Sequence, residues 1–243
     1  MLEGLYSAAA GMSAQQEQLD AISNDLANVS TTGYQAERVA FSDLLYNKID
    51  QAGTVTSAGG GARARPIGRS EAQGPIQETG EPLNLAIEGD GYFQLTGPNG
   101  QVALTRSGAF AVDASGTIVN GKGDRLSPAI KLPAGVSPSE LSIAPDGTVT
   151  AGKRTLGQIK LVTVTSPGHM LADGNDGLTP TAASGAPHAA TAKIHQGALE
   201  QSNVDLGREM ALMVSTQRSF QMTSSAIQTE SQMMSIANQL RVP

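Results

Sequence analysis

Three histidines, His169, His188 and His195, are the side chains of this chain best suited to ligate a transition metal or to move a proton near neutral pH. His188 and His195 stand in a polar stretch, with no cysteine or carboxylate at ligand spacing, so the pattern does not build a metal site. The stretch "DGNDG", residues 173–177, offers oxygen donors but lacks the ligand series ending in glutamate that a calcium loop needs, and two successive turns account for it. "GGGARARP", residues 59–66, has glycines and cations without the Gly-Lys-Ser/Thr of a phosphate loop, and reads as a flexible linker. There is no Gly-x-Ser-x-Gly elbow, and no Ser, His and Asp stand in a recognisable order of motifs. No pair of carboxylates sits in a context that would raise a pKa. Asn28-Val29-Ser30 matches a glycosylation sequon, but at the end of a helical pattern these side chains serve better as caps. The expectation is therefore no catalytic residue, no cofactor and no metal.

Composition narrows the remaining classes. With 39% hydrophobic residues, only 3% aromatic and no tryptophan, the core must be built from Ala, Val, Leu and Ile, without the large anchors that line most small-molecule pockets. A net charge of −6 with no basic stripe argues against nucleic acid; the nearest candidate is Arg63, Arg65 and Arg69 in the glycine-rich segment. Zero cysteines exclude disulfides, zinc-thiolate sites and a cysteine nucleophile. The N-terminus carries Glu3 where a signal peptide would be basic and has no long apolar segment, so a cleaved signal is not expected. No window approaches about 18 apolar residues, so no membrane insertion is expected.

The elements that would position any functional residue divide into two kinds. Near the N-terminus Leu5, Ala8, Met12, Gln15, Leu19, Ile22, Leu26 and Val29 alternate at three and four residues, a heptad seam with one polar interruption. Near the C-terminus Leu206, Met213, Phe220, Ile227 and Met234 recur every seven residues, while the companion positions Met210, Gln217, Ser224, Ser231 and Asn238 are mostly polar. Helices of about 25 and about 37 residues would be rods of roughly 37 and roughly 55 Å. A seam with one polar half is poorly stabilised alone and makes sense when neighbouring copies surround it. The first helix stops at "NVSTTGY", whose side chains bond their own backbone and whose glycine tolerates positive φ. Between the ends, Asp-Gly, Asn-Gly and Ser-Gly turn signals separate short β-type runs such as "YFQLT", "GTIVNG" and "GQIKLVTVT". The expected fold is α+β: residues 1–46 and 196–243 form a coiled-coil-like helical inner domain, 47–82 an extended linker, and 83–195 an inserted all-β outer domain.

These stretches resemble one known family. "NDLANVSTTGYQAERVAFSDLLY", residues 24–46, is similar to the N-terminal signature of the bacterial flagellar rod and hook family, with Leu26, Ala27, Asn28, Thr32, Gly33 and Tyr34 at the matching positions. The likeness continues through "LNLAIEGDGYFQL", "TRSGAFAVDASGTIVNGKGDRL", "GQIKLVTV", "SGAP" and "QGALEQSNVDLGREMALMVSTQRSFQM", in the family's order and over nearly the whole chain. "TRSGAF", "SGAP" and the length make it most like the distal rod members, with the proximal rod members close behind. Arg218-Ser219-Phe220-Gln221 departs from the Arg-Ala-Tyr-Glu common in relatives.

The resemblance implies a non-enzymatic polymer subunit of the basal body, in the cell envelope outside the cytoplasmic membrane, exported through the flagellar export apparatus and transmitting torque as part of a hollow tube. Its implied partners are further copies of itself, other rod proteins, the hook protein and any surrounding ring proteins. The expected polymer interface is Leu5, Met12, Leu19, Ile22, Leu26, Val29, Leu206, Met210, Met213, Phe220, Ile227 and Met234. Val39, Phe41, Leu44, Leu45 and the linker are expected to touch adjacent subunits. A rival reading is a secreted β-domain that binds cell-wall polysaccharide; its aromatic platform would have to come from Tyr92, Phe93 and Phe110, the only aromatics in that region.

Overall fold

The computed structural model describes residues 2–44, 47–51, 54–133, 135–174 and 177–239. Leu45, Asn175 and Asp176, which figured in the sequence reading, lie outside them. The chain is α+β, with one helix near each end and a many-stranded region between. It forms two compact units: one comprises Met1–Ala27, Glu37–Ile67 and Asp205–Pro243, the other Asn28–Ala36 and Gly68–Val204.

The first unit is built on helix α1, Leu2–Ala27, and helix α2, Leu206–Gln239. α1 is rich in Ala, Gln, Leu and Met and contains no proline, so its backbone favours the helix throughout. α2 is polar, and its hydroxyls satisfy their own backbone: Thr223 Oγ1 donates to Ser219 O at 3.0 Å and Thr229 Oγ1 to Ser225 O at 2.9 Å. Asp205 caps it, its Oδ1 accepting the Gly207 and Arg208 amides at 3.0 and 3.2 Å. The helices pack side by side and antiparallel: Glu230 of α2 reaches over Gly4, and Glu209 lies near Asp25.

On α1 the packed side carries buried Ala14, Ile22 and Asp25 and half-buried Leu5, Met12, Leu19 and Leu26. On α2 it carries buried Thr216 and half-buried Leu212, Met213, Phe220, Thr223, Ile227 and Met234. Residues 212, 223 and 234 follow an eleven-residue spacing, and 213, 220, 227 and 234 a seven-residue one. The strip is therefore wider than a two-position seam, because a helix of 3.6 residues per turn drifts about 20° per heptad. The companion positions Gln217 and Ser231 are exposed and lie outside it.

Two strands, Glu37–Asp43 and Ala62–Arg69, form a two-stranded ribbon in the same unit, with a hairpin of Asn47–Gln51 and Thr54–Ala58 between them. At one end the Glu37 amide donates to Asp25 Oδ1 at 3.0 Å, and at the other a Cβ on Gly61 would press on Ser7 O and Ala10 Cβ of α1. Much of the segment expected to be plain linker is thus paired strand. The alternation that announces a strand is missing there because Ala64 is the only buried residue of Ala62–Arg69.

The β-rich unit has a nine-stranded sheet whose main path runs through Leu171–Ala172, Leu178–Thr179, Val102–Thr105, Tyr92–Thr96, Arg125–Leu126, Ile118–Asn120 and Phe110–Val112. Leu161–Thr163 pairs with Tyr92–Thr96 and with His188–Ala189. A three-stranded sheet joins Leu141–Ile143, Thr148–Ala151 and Arg154–Gln158; "GQIKLVTVT" is therefore divided between two sheets. Two further pairs join Lys193–Gln196 to Leu85–Glu88 and Ala198–Glu200 to Ile76–Glu78. The core is aliphatic around one edge-to-face aromatic pair, Phe93 and Phe110, with centroids 5.2 Å apart. Turns are set by carboxylates: Asp113 Oδ1 accepts the amides of Ser115 and Thr117 at 2.8 Å each, which with the Ser115 hydroxyl holds its carboxyl below the usual range.

Where α1 ends and α2 begins, burial raises the Glu209 carboxyl above the usual range, and the charges of Asp25 and Asp205 add to this against Arg208. A group whose pKa rises on folding stabilises fully below its unfolded pKa and loses that contribution as pH rises through the folded pKa. The helical unit should thus melt higher near pH 4 than at pH 7, and Glu209→Gln should raise the pH 7 midpoint and flatten the dependence. Thermal melts followed by helical circular dichroism check this; a pH slope unchanged in Glu209→Gln would refute it.

Candidate functional site

The residues following α1 do not run free. The Thr31 amide donates to Asn28 O at 3.0 Å and the Thr31 hydroxyl to Asn28 Oδ1 at 3.2 Å, closing a turn. Gly33 then adopts φ +69°, its amide donates to Glu200 O at 2.8 Å, and a Cβ there would run into the backbone of Arg106 and Ser107. Thr32 Oγ1 and Ser107 Oγ share a hydrogen bond at 3.0 Å. The segment 28–36 is thereby pressed onto the "TRSGAF" loop.

At the centre of this contact lies a buried ion pair. Arg106 Nη1 donates to Glu200 Oε2 at 3.1 Å, and both side chains are 4% exposed. The second carboxylate oxygen, Oε1, accepts the Gly74 amide at 3.0 Å, and Gly74 is required because a Cβ would strike Gln201 O. The Arg106 guanidinium stacks over the Tyr92 ring at 5.4 Å, and the Tyr92 hydroxyl donates to Gln35 Oε1 at 3.4 Å. Burial pushes the Tyr92 hydroxyl above the usual phenol range, opposed by the Gln35 hydrogen bond and the Arg106 charge. Arg69 repeats the arrangement: its guanidinium lies 5.4 Å from the Tyr34 ring centroid and its Nη1 donates to Gln35 O at 3.4 Å.

Asn203 completes the clasp. Its Oδ1 accepts the Ala36 amide at 2.7 Å, its Nδ2 donates to Ser70 O at 3.1 Å and Ala72 O at 2.7 Å, and its own amide donates to Tyr34 O at 3.3 Å. The chain enters this unit at 28, leaves after 36, returns at 68 and leaves after 204, and the stretches 33–36, 69–74 and 200–203 beside these crossings are bound to one another. Arg106 is matched by Glu200, Arg69 is turned onto the Tyr34 ring and Gln35 O, and nothing pairs a nucleophile with a base, so the arrangement holds backbone segments rather than a substrate.

Of the motif residues, Thr32, Gly33 and Tyr34 come together here, Asn28 shapes the turn, and Leu26 and Ala27 are the last residues of α1. Gln35, Arg106, Glu200 and Asn203 were not singled out from sequence, and Arg69 and Tyr92 were read there only as part of a basic patch and of an aromatic platform; the available signal was a cation and an anion set inside otherwise apolar strand ends. Of the expected interface residues, Ile22 is buried, while Leu5, Met12, Leu19, Leu26, Met213, Phe220, Ile227 and Met234 are half-buried in the helical unit. Val29 is half-buried in the β-rich unit, and Leu206 and Met210 are exposed on α2. A groove of the β-rich unit, about 790 Å³, is lined by Pro145, Pro180, Pro187 and Ile194, and its polar residues Asp146, Lys160 and His188 form no mutual contact among the described residues. His195 Nε2 meets Glu88 Oε2 at 2.8 Å on the surface. No group of three or more potential ligands could hold a metal among the described residues, and no helix there is long and apolar enough to cross a membrane.

The clasp draws on four separate parts of the chain; three of them fall largely within segments that match known families, and the fourth, 69–74, lies between two of those segments. Residues 5–35 match the family described as flagella basal body rod protein, 86–151 the D1 domain of the flagellar hook proteins FlgE, FlgF and FlgG, and 195–240 the C-terminal region of the FlgEFG basal-body rod proteins. The flagellar basal-body rod protein FlgG of Borreliella burgdorferi is 34% identical over 99% of this chain and 99% of its own. The chain belongs to the flagellar basal-body rod protein family. The FlgG of Caulobacter vibrioides is 35% identical over 99% of this chain and all of its own, and the FlgF of Mesorhizobium japonicum 29% over 93% and 92%. Within this rod family member, Gly33, Tyr34, Arg106, Glu200 and Asn203 belong to one contact even though the matched segments are far apart in sequence.

Glu200→Ala leaves Arg106 buried and unpaired, and should destabilise the β-rich unit by about 3–5 kcal/mol. Gly33→Ala should cost about 1–3 kcal/mol from the positive φ, before the backbone collision is added. Denaturant unfolding followed by tyrosine fluorescence measures both; a loss below about 1 kcal/mol for Glu200→Ala would show that the pair is not the keystone of the unit.

Proposed function

We propose that this chain is a polymerising subunit of distal rod type, and that the outward side of α2 is where copies meet. The family makes it a structural subunit of the flagellar basal-body rod, part of the basal body in the cell envelope. The observation that carries the polymer reading is the second apolar stripe of α2. Met210, Val214, Met222, Met233 and Ile236 are 47–66% exposed and lie on the side turned away from the strip packed on α1. At about 100° per residue the packed strip centres near one azimuth and these five on the opposite one. An exposed apolar stripe on a soluble helix marks an interaction surface, and coiled-coil-like packing between copies would cover it.

In this reading residues 1–46 and 196–243 serve as the inner polymerisation domain, 47–82 as the connection and 83–195 as the outer domain. The chain is not an enzyme; it transmits torque, because close-packed interfaces pass strain on rather than absorbing it. Its partners are further copies, other rod proteins, the hook protein, any surrounding rings and the export apparatus. Higher identity to relatives called FlgG than to one called FlgF supports the distal assignment.

The two faces of α2 separate by mutation. Met222→Asp should leave the helix pair and the β-rich unit folded yet stop polymer growth, whereas Phe220→Asp should weaken the helix pair itself. Sedimentation and electron microscopy of the purified full chain, with circular dichroism as the folding control, read the difference. Normal polymers from Met222→Asp would reject the outward stripe as the meeting surface.

A further inference from the structure

The helical unit carries two charged surfaces of opposite sign that do not meet within the chain. Residues 1–36 contain Glu3, Glu17, Asp20 and Asp25 and no lysine or arginine. α1 is covered on one side by α2 and approached along another by the ribbon, which leaves one exposed strip containing Tyr6, Ser13, Gln16, Glu17, Asp20 and Ser23. Its only charges are the carboxylates of Glu17 and Asp20, one helical turn apart, with Cβ atoms about 5–6 Å from each other.

The ribbon presents the converse. Arg63 and Arg65 flank Ala64, which is 2% exposed, so both arginines project from the outer face, about 7 Å apart along the strand. Arg38 and Asp43 are exposed on the paired strand, leaving the exposed charge of the ribbon net positive, and Phe41 and Ile67 add apolar surface at 50% and 47% exposure. Neither edge of the two-stranded ribbon is taken by a further strand among the described residues. None of Arg63, Arg65, Glu17 and Asp20 forms an ion pair within the chain among the described residues. In a protein of net charge −6, a cationic ribbon is a local exception.

Resting on the polymer reading above, we infer that the Arg63–Arg65 face of the ribbon docks on the Glu17–Asp20 strip of α1 in a second copy. The sign, the matched spacing of the two pairs and the nearby apolar residues, Tyr6 on α1 and Phe41 and Ile67 on the ribbon, single out α1 as the occupant rather than α2, where acidic and basic residues occur together. Arginine suits the contact because its fork grips a carboxylate in two places. The α2 stripe supplies apolar burial; this contact supplies register, since displacement of one copy along α1 by a turn leaves one of the two carboxylates unpaired.

The test is polymerisation of the full chain as a function of salt and of charge reversal. The critical concentration should rise from 0.05 to about 0.5 M salt as screening shortens the reach of exposed charges. Arg63→Glu with Arg65→Glu should raise it about tenfold, as two exposed pairs allow, Glu17→Lys with Asp20→Lys should do the same, and the fourfold variant should return to within about threefold of the parent. Circular dichroism of each monomer guards against misfolding, and Arg63→Gln with Arg65→Gln, which removes charge without reversing it, should fall between. A parent that polymerises while the arginine reversals have no effect overturns this contact alone. Loss without rescue in the fourfold variant overturns α1 as the occupant. A parent that polymerises at no salt concentration removes the assembly reading and this contact together.

Discussion

The Arg106–Glu200 pair is the interaction on which the β-rich unit depends. Separated by 94 residues, the two side chains bury opposite charges where water cannot compensate either one. The cost of that burial is offset by further contacts: Glu200 also accepts the Gly74 amide and Arg106 lies over Tyr92, although Arg106 Nε is buried without a hydrogen-bond partner. Around this centre the peptide groups of 33–36, 69–74 and 200–203 satisfy one another. A chain that enters and leaves a domain at one place has its loop closed there, so a strong contact at that point removes conformational freedom from everything between.

Such a closed base explains how a small, aromatic-poor core suffices. Phe93 and Phe110 provide the one edge-to-face aromatic pair among the described residues, and the remaining interior is Leu, Ile, Val and Ala spread over several small sheets. Short strands of two to five residues do not hold register by length alone; turns anchored by Asp113 and Asp146 and the closure at the base do it instead.

Much of this was legible in the sequence because local rules govern it. The helices announce themselves by apolar periodicity, and the turn at Gly33 by its composition. The strands Tyr92–Thr96 and Ile118–Asn120 sit between the expected turn signals. The misses share one cause. Ala62–Arg69 buries a single alanine, so no alternation marks it as a strand, and its partner Glu37–Asp43 has no buried residue at all. Arg106 and Glu200 stood inside motif stretches, but nothing local ties a cation to an anion 94 positions away. The outward stripe of α2 was hidden by the heptad reading, which gathered Met210 with residues that face the other way.

The hydroxyls of α2 carry a mechanical consequence. Thr223 bonds back to its own helix, so its hydroxyl donates no bond across the seam to α1. Side-chain hydroxyls bonded in this way also soften a helix against bending. At Thr223 the two helices therefore meet by side-chain packing, which passes strain from one helix to the other without a hydrogen bond to break.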